Sequence, residues 1–437
     1  MFETLKNMFR IKEIRKKLFY TFLMIIVIRF GSQLPVPGVD RDYFASWFSS
    51  YSNDAFNFFS AFTGGSFENM SIFALSITPY ITSSIIIQLL TIAIPALEEM
   101  HRDGEDGRKK ITQITRYTTV GLALIESIAM TIGFGRSGLL EEFNAINVIT
   151  VIVALVAGST MLMWIGERIT EKGVGNGISI VLMVNILSSV PSDFVSLYGL
   201  FIEGKTIARG ALAGVIILAV VLLTVILVIF LNGGERRIPV QYAKKMQGRK
   251  MVGGQSTNIP LKVNTAGVIP VIFASSLMSI PSMVVSFAGI STSGVGATII
   301  SMLSQNNWFN LSHPEYSIGL ILYIVLIVFF AYFYTSITFN PIEVADNIKK
   351  QGGFIPGIRP GKPTTEYLDK VLGNLVFIGA VGLIIVVLVP IFFNGVFGAS
   401  VSFGGTSIII IVGVILETLK QIESQMVVRN YKGFLME

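Results

Sequence analysis

The chain of 437 residues is 52% hydrophobic and only 14% charged, with a mean hydropathy of +0.69. A soluble domain is about 25% charged, and the apolar excess here runs the whole length, which excludes a soluble domain of ordinary size. The lack of cysteine excludes disulfides and thiolate metal sites, and the net charge of +6 informs through its placement.

At the start, Lys6, Arg10, Lys12, Arg15, Lys16 and Lys17 precede the first apolar run. Phe2, Leu5, Met8 and Phe9 would share one face of a short interfacial helix with the bases on the other. The run ends in Leu34-Pro35-Val36-Pro37-Gly38 without an A-x-A-like cleavage site, so it reads as a retained first span and not as a signal peptide.

A span needs about 20 mostly apolar residues to cross the hydrocarbon. Such stretches lie near 18–35, 72–96, 113–135, 147–168, 177–195, 211–231, 264–286, 317–339, 371–393 and 401–420. The clearest, 211–231, has no charge, Pro or Asn. Residues 371–416 are one uncharged stretch, too long for a single helix. Pro390 and Asn394-Gly395-Val396-Phe397-Gly398 are expected to break it into a hairpin.

Alternate connections test the orientation. Of the 33 Lys and Arg, 28 fall on one side; Arg41, Arg136, Lys205 and Arg209 fall on the other, and Arg29 lies within a span. The basic side is cytosolic by the positive-inside rule, and both termini lie on it. The expected layout is an amphipathic segment at 1–17, spans one to five over 18–195, an exoplasmic connection with span six over 196–231, and a cytosolic loop at 232–262. Spans seven and eight follow over 263–339, then a second cytosolic loop at 340–370, spans nine and ten over 371–420, and a cytosolic tail at 421–437. The fold class is an all-α polytopic membrane protein of about ten transmembrane helices. Five spans per half would invert one half relative to the other, placing a pathway between them.

Two features depart from a simple bundle. Residues 54–70 are too short and polar to span, yet carry Phe56, Phe59, Phe62 and Phe67, with a bend at Gly64-Gly65. They read either as an exoplasmic loop with interfacial aromatics or as a re-entrant segment entering a water-filled cavity. The loops at 232–262 and 340–370 are long, basic and punctuated by Pro and Gly, which a small-solute transporter does not need.

Catalytic patterns are absent. His101 and His313 lie in connections on opposite sides, and there is no HExxH, paired-Cys or serine-elbow pattern. Gly357-Ile358-Arg359-Pro360-Gly361-Lys362 fails as a phosphate loop: Pro356 stands in the first glycine's place and Pro363 follows the lysine. Gly173-Val174-Gly175-Asn176-Gly177 is not GxGxxG and reads as a flexible entry into span five. No enzyme, metal or cofactor is expected. Ion-coupled carriers keep ionisable groups at mid-membrane. Arg29 and Glu417 sit near the ends of apolar runs, where snorkelling is the ordinary account, so Glu126 is the one carboxylate supporting a carrier.

Eight segments, in order along the chain, resemble the SecY family, the central subunits of bacterial protein-translocation channels. They are LPVPGVD at 34–40, ITPYITSSIIIQLLT at 77–91, GEDGRKKITQITRY at 104–117, MWIGERITEKGVGNGISI at 163–180, ERRIPVQYAKKMQGRK at 235–250, QSTNIPLKVNTAGVIPVIFASS at 255–276, NPIEVADNIKKQGGFIPGIRPG at 340–361 and FGGTS at 403–407. The resemblance implies two inverted five-helix halves, an hourglass pore between them and a short re-entrant plug helix matching 54–70, with Phe56, Phe59, Phe62, Gly64, Gly65 and Phe67. By motif position the family's aliphatic pore ring falls on Ile77, Ile81, Ile178, Leu182, Ile272 and Ile410, Leu182 being the one departure from isoleucine. Such a ring suits a passing chain of any composition, because aliphatic walls bind nothing strongly and hold back ions by dewetting.

The resemblance further implies a lateral gate between the second and seventh spans, through which membrane segments reach lipid. Thr82, Gln88 and Asn264 there either hydrogen-bond across a closed seam or merely help helices pack. The cytosolic loops resemble docking sites for the ribosome and the motor ATPase SecA, through Arg249 and Lys250 in the first and Arg359 in the second. Implied partners are SecE and SecG subunits, signal sequences, unfolded preproteins and membrane lipid, in the cytoplasmic membrane.

Overall fold

The computed structural model describes residues 9, 11–51, 60, 62–135, 138, 140, 142–203, 207–242, 245–247, 250–252, 256–288, 294–309, 313–397 and 405–434. The N-terminal half contains α1 (Lys12–Gly31), α2 (Arg41–Tyr51), α3 (Thr78–Ala93), α4 (Pro95–Arg102), α5 (Glu105–Phe134), α6 (Ala145–Lys172) and α7 (Gly177–Phe201). The C-terminal half contains α8 (Ile207–Gly233), α9 (Ile269–Ala288), α10 (Val295–Leu303), α11 (Ser317–Thr338), α12 (Pro341–Lys350), α13 (Lys362–Phe397) and α14 (Gly405–Phe434).

Among the described residues, α5, α6, α7, α8, α11 and α13 are long and apolar enough to cross a membrane. The other four expected spans are also helical, but each is compromised by length or charge. α1 opens on Lys12, Glu13, Arg15, Lys16 and Lys17. α3 has only 16 residues, and α9 is apolar over a short stretch. The last, α14, carries Glu417, Lys420 and Glu423 beyond its apolar first half.

Pro191, Pro281 and Pro390 all lie inside helices, and α13 runs through Pro390, Asn394 and Gly395 to Phe397. The expected break at Pro390 is therefore corrected: the helix continues through it to Phe397. A proline forfeits one backbone bond, and a helix packed among others tolerates that loss because neighbouring groups re-satisfy the freed carbonyl.

Each half has its own core. In the N-terminal half Phe44, Phe67 and Phe134 meet edge to face at 5.4–6.4 Å around Val36, Leu140 and Leu155. In the C-terminal half Trp308, Tyr323, Val271, Leu383 and Ile409 pack together. A third cluster crosses the boundary, joining Ile28, Leu162 and Ile180 to Ile410 and Val414 of α14. The halves touch through α7 against α14 and through α5 against α9.

The loops at 232–262 and 340–370 are joined by a sheet. β1 (Glu235–Tyr242) pairs antiparallel with β4 (Ser256–Lys262) and also with β5 (Gly353–Phe354), giving the order β4-β1-β5; β2 (Lys245–Gln247) and β3 (Lys250–Val252) form a separate hairpin. Alternation in β1 buries Ile238 and Val240 against Leu261, Ile348, Ile355 and Leu368. Pro239 is tolerated because β5 pairs only with Gln241 and Tyr242, so the strand edge beside the proline is open.

Candidate functional site

The six aliphatic residues singled out from the sequence come together. Ile77, Leu182 and Ile410 are buried members of one cluster, and Ile81, Ile178 and Ile272 pack against it. All but Ile77 line a cavity of about 770 Å³ between the halves. Ile77, fully buried, stands just before α3, and its carbonyl accepts from the Ile81 N–H at 3.1 Å. Pro79 between them therefore does not break the turn. Its missing N–H falls in the first turn of α3, where no partner was due.

Local chemistry aims the other ring members. The Asn176 side chain caps α7 by accepting from the N–H groups of Ile178 and Ser179 at 3.1 and 3.4 Å. That fixes the helix start, so Ile178 and Leu182 lie one turn apart on the cavity wall. Gly177 lets α7 meet α6 closely, since a Cβ there would collide with the Gly166 carbonyl. On the opposite wall the Ile272 N–H bonds to the Val268 carbonyl at 3.2 Å, beginning α9.

The cavity has two chemistries. Aliphatic side chains gather at its inner end, while Arg116, Glu167, Glu171, Lys262, Glu417 and Lys420 line it toward the helix ends that carry the basic connections. Arg116 Nε binds Glu167 Oε1 at 2.7 Å, linking α5 to α6. Glu417, near the end of its apolar run, lines this wall.

Two of the three polar residues assigned to a seam bond within their own halves. Asn264 Nδ2 donates to Asn232 Oδ1 on α8 at 2.8 Å, and Gln88 Nε2 reaches Ser84 Oγ on its own helix at 3.5 Å. Gln88 and Asn264 both line the cavity. Thr82 is half-buried on α3 and is not part of that lining.

Residues 62–70 fold into the protein. Phe62, Thr63, Ser66, Phe67 and Met70 are buried, Phe62 in the cluster of the six aliphatic residues and Phe67 against Phe44 and Phe134. Among the described residues of 54–70 only Ser60, Phe62 and Thr63 are helical, and turns follow through Gly64 and Gly65, both with positive φ (63° and 78°). Phe56 and Phe59 lie outside the described residues. Arg29 was expected to snorkel; instead its Nη1 donates to Ser188 Oγ at 3.0 Å and lies 3.5 Å from the Gly64 carbonyl. Sequence reasoning missed Ser188, Asn185, Ser76 and Asn232. The available signal was a set of polar side chains at or within apolar spans.

Arg249 also lies outside the described residues. Lys250 begins β3 opposite Gln247. Arg359 is exposed in the turn after β5, where its carbonyl accepts from Thr364 Oγ1 at 2.9 Å. No cluster of three or more metal-ligating side chains occurs among the described residues.

Comparison with known proteins adds kinship. The SecY family model matches residues 71–419. A protein translocase subunit SecY of Streptomyces galbus is 46% identical over 441 residues, covering 98% of each chain. Among solved structures, one described as a protein-conducting channel superposes with a TM-score of 0.63 at 17% identity, covering 94% of this chain and 93% of the other. Sec61 in a canine ribosome–channel complex gives 0.59 at 16% identity, covering 94% and 93%.

Proposed function

The chain belongs to the SecY family, and on that premise we propose that an unfolded polypeptide crosses the membrane through the aliphatic waist formed by Ile77, Ile81, Ile178, Leu182, Ile272 and Ile410. Membership makes the chain a protein-translocation channel subunit and a multi-pass membrane protein. The observation that carries the finer reading is the convergence of six residues, from four separate helical regions, in one cluster, five of them lining one cavity.

The physics of that arrangement fits the task. Fixed charges or hydrogen-bond donors at the constriction would retain some residues of a passing chain and reject others; an aliphatic ring yields to each and wets poorly when empty. Charged groups are kept to the mouth, where water screens them. Residues 54–70 act as the plug beneath this waist, a reading supported by Phe62 packing in the ring's own cluster.

The lateral gate lies between α3 and α9, where Thr82, Gln88 and Asn264 stand. In support, Asn264 and Gln88 bond to Asn232 and Ser84 inside their own halves, so parting the halves breaks neither bond. The β2–β3 hairpin presents Lys250, and the turn after β5 presents Arg359, to a ribosome or to the motor ATPase SecA, with Arg249 beside Lys250 in sequence. Exposed Arg359 supports this, as does the ribosome-bound state of the canine relative. SecE and SecG complete the assembly in the cytoplasmic membrane, with both termini cytosolic as the basic residues require.

Replacing ring residues with serine tests the seal. Ile81→Ser with Ile178→Ser in reconstituted channels is expected to raise resting ion conductance while export continues. Conductance equal to wild type would contradict the assignment. A carrier reading centred on Glu126 has one supporting observation, a buried carboxylate oxygen without a partner. It predicts saturable small-solute uptake that Glu126→Gln abolishes.

A further inference from the structure

We infer that Arg29 is a latch residue that holds the segment at 62–70 against α7 in the resting channel. The inference rests on the plug reading of that segment, and deepens it by naming what keeps the plug seated and what must be released.

Three hydrogen-bond relationships converge on one stretch of backbone. Arg29 Nη1 lies 3.0 Å from Ser188 Oγ and 3.5 Å from the Gly64 carbonyl. Ser188 Oγ is 3.2 Å from that same carbonyl and 2.6 Å from the Asn185 carbonyl. One turn back, Asn185 Nδ2 donates to Ser76 Oγ at 3.0 Å, and Ser76 Oγ in turn lies 3.5 Å from the Phe62 carbonyl. Thus α1, α7 and the strand of turns leading into α3 all grip the segment at Phe62 and Gly64.

The close approach is built into the sequence. Gly64 has φ +63°, and a Cβ there would come within 2.6 Å of both the Asn185 carbonyl and Ser188 Oγ. Only glycine lets the backbone lie this near α7. A charged donor gives a stronger bond than a neutral one. Both described acceptors of Arg29 are nonetheless neutral oxygens, so the grip is directional without the tenacity of an ion pair. Such a contact suits a segment that must stay closed at rest and yield to a chain in transit.

The latch predicts a mobility, and the cysteine-free sequence allows that mobility to be read at one introduced thiol. Ser66 lies in the segment, is 1% exposed, and its hydroxyl has no partner. In the full chain with Ser66→Cys, in sealed vesicles with the exoplasmic face outward, labelling by an impermeant maleimide is slow. Adding Arg29→Leu is expected to speed it roughly tenfold or more, the factor that losing a hydrogen bond to a charged group brings. Arg29→Lys restores most of the protection, and Ser188→Ala gives a smaller increase. A control thiol at Ser275, buried in α9 of the other half, keeps its rate in every variant.

Unchanged labelling at position 66 in Arg29→Leu overturns the latch, and so does equal acceleration at position 275, which marks general loosening. Where Arg29→Leu fails to accumulate, Ser188→Ala decides in the same way. Resting ion conductance separates the two claims. Faster labelling with raised conductance supports both latch and plug, whereas faster labelling with unchanged conductance keeps the latch and overturns the plug. Unchanged labelling alongside a leak caused by deleting 62–67 overturns the latch and keeps the plug.

Discussion

Asn264 donates a hydrogen bond to Asn232 at 2.8 Å, tying the approach to α9 onto α8 and not onto α3 across the cavity. The bonds of Asn264 and Gln88 thus run within each half, whereas Asn232 Nδ2 is buried without a partner. In the proposed lateral gate, opening parts α5 from α9, a contact that an incoming apolar helix can replace.

A double-mutant cycle on this pair, Asn232→Ala and Asn264→Ala, is expected to give a coupling of about 0.6 kcal/mol and no more than about 1.7 kcal/mol. Unfolding in detergent measures it. Asn264→Ala combined with Gln88→Ala should give none, and coupling there would mean that the two meet across the seam.

Gly64→Ala forces a side chain into a left-handed backbone that already abuts Asn185 and Ser188. The conformational cost is about 1–2 kcal/mol, before the collision with α7 is relieved. The segment should shift, so the expected phenotype is a channel that leaks ions at rest and accepts defective signal sequences. Resting conductance indistinguishable from wild type would show that this approach is not needed for closure.

Gly177→Ala places a methyl group against the Gly166 carbonyl at the head of α7. Overpacking of this kind costs typically about 1–3 kcal/mol, and here it displaces Ile178 and Leu182 together. A lowered thermal midpoint with loss of export is expected; a normal midpoint with full export would place the two helices further apart than described.

The pairing of Gln241 with Phe354 joins loops more than a hundred residues apart. Because the chain has no cysteine of its own, Gln241→Cys with Phe354→Cys should form a single intramolecular disulfide under mild oxidant. Its appearance as a mobility shift on gels checks the sheet, and its absence would separate the two loops.

Arg359→Glu reverses an exposed charge whose side chain supports no core contact. Motor-driven export should fall severely while membrane insertion and thermal stability stay normal. Normal export from the variant would remove Arg359 from the docking surface.

Helices with strong composition were legible beforehand. The span expected at 317–339 is α11, Ser317–Thr338, and the charge-free run at 211–231 lies within α8, Ile207–Gly233. Length and hydropathy alone decide such segments. Legibility failed where tertiary contacts outweigh local signals. The span drawn from 72 begins as turns, and its helix starts only at Thr78. Pro390 reads as a breaker, yet sits within a helix whose neighbours absorb its cost. Strand β1 carried an alternation at Ile238 and Val240 that was readable, but charge and Pro239 masked it. In the site, the ring came through resemblance and not through periodicity, since one isoleucine in a membrane helix looks like any other. Arg29 was misjudged because its partner Ser188 lies 159 residues away, and only the folded chain reveals that the guanidinium turns inward.

The most direct test asks what the waist touches when the channel works. A photoreactive residue is placed in turn at Ile81, Ile178, Ile272 and Ile410, and at Leu218 and Ile149, which are exposed on the outer surface. An export substrate is then stalled midway through the membrane. The account predicts crosslinks to the stalled chain from all four ring positions and none from the two outer ones. Crosslinks from Leu218 or Ile149 with the ring positions silent would contradict it.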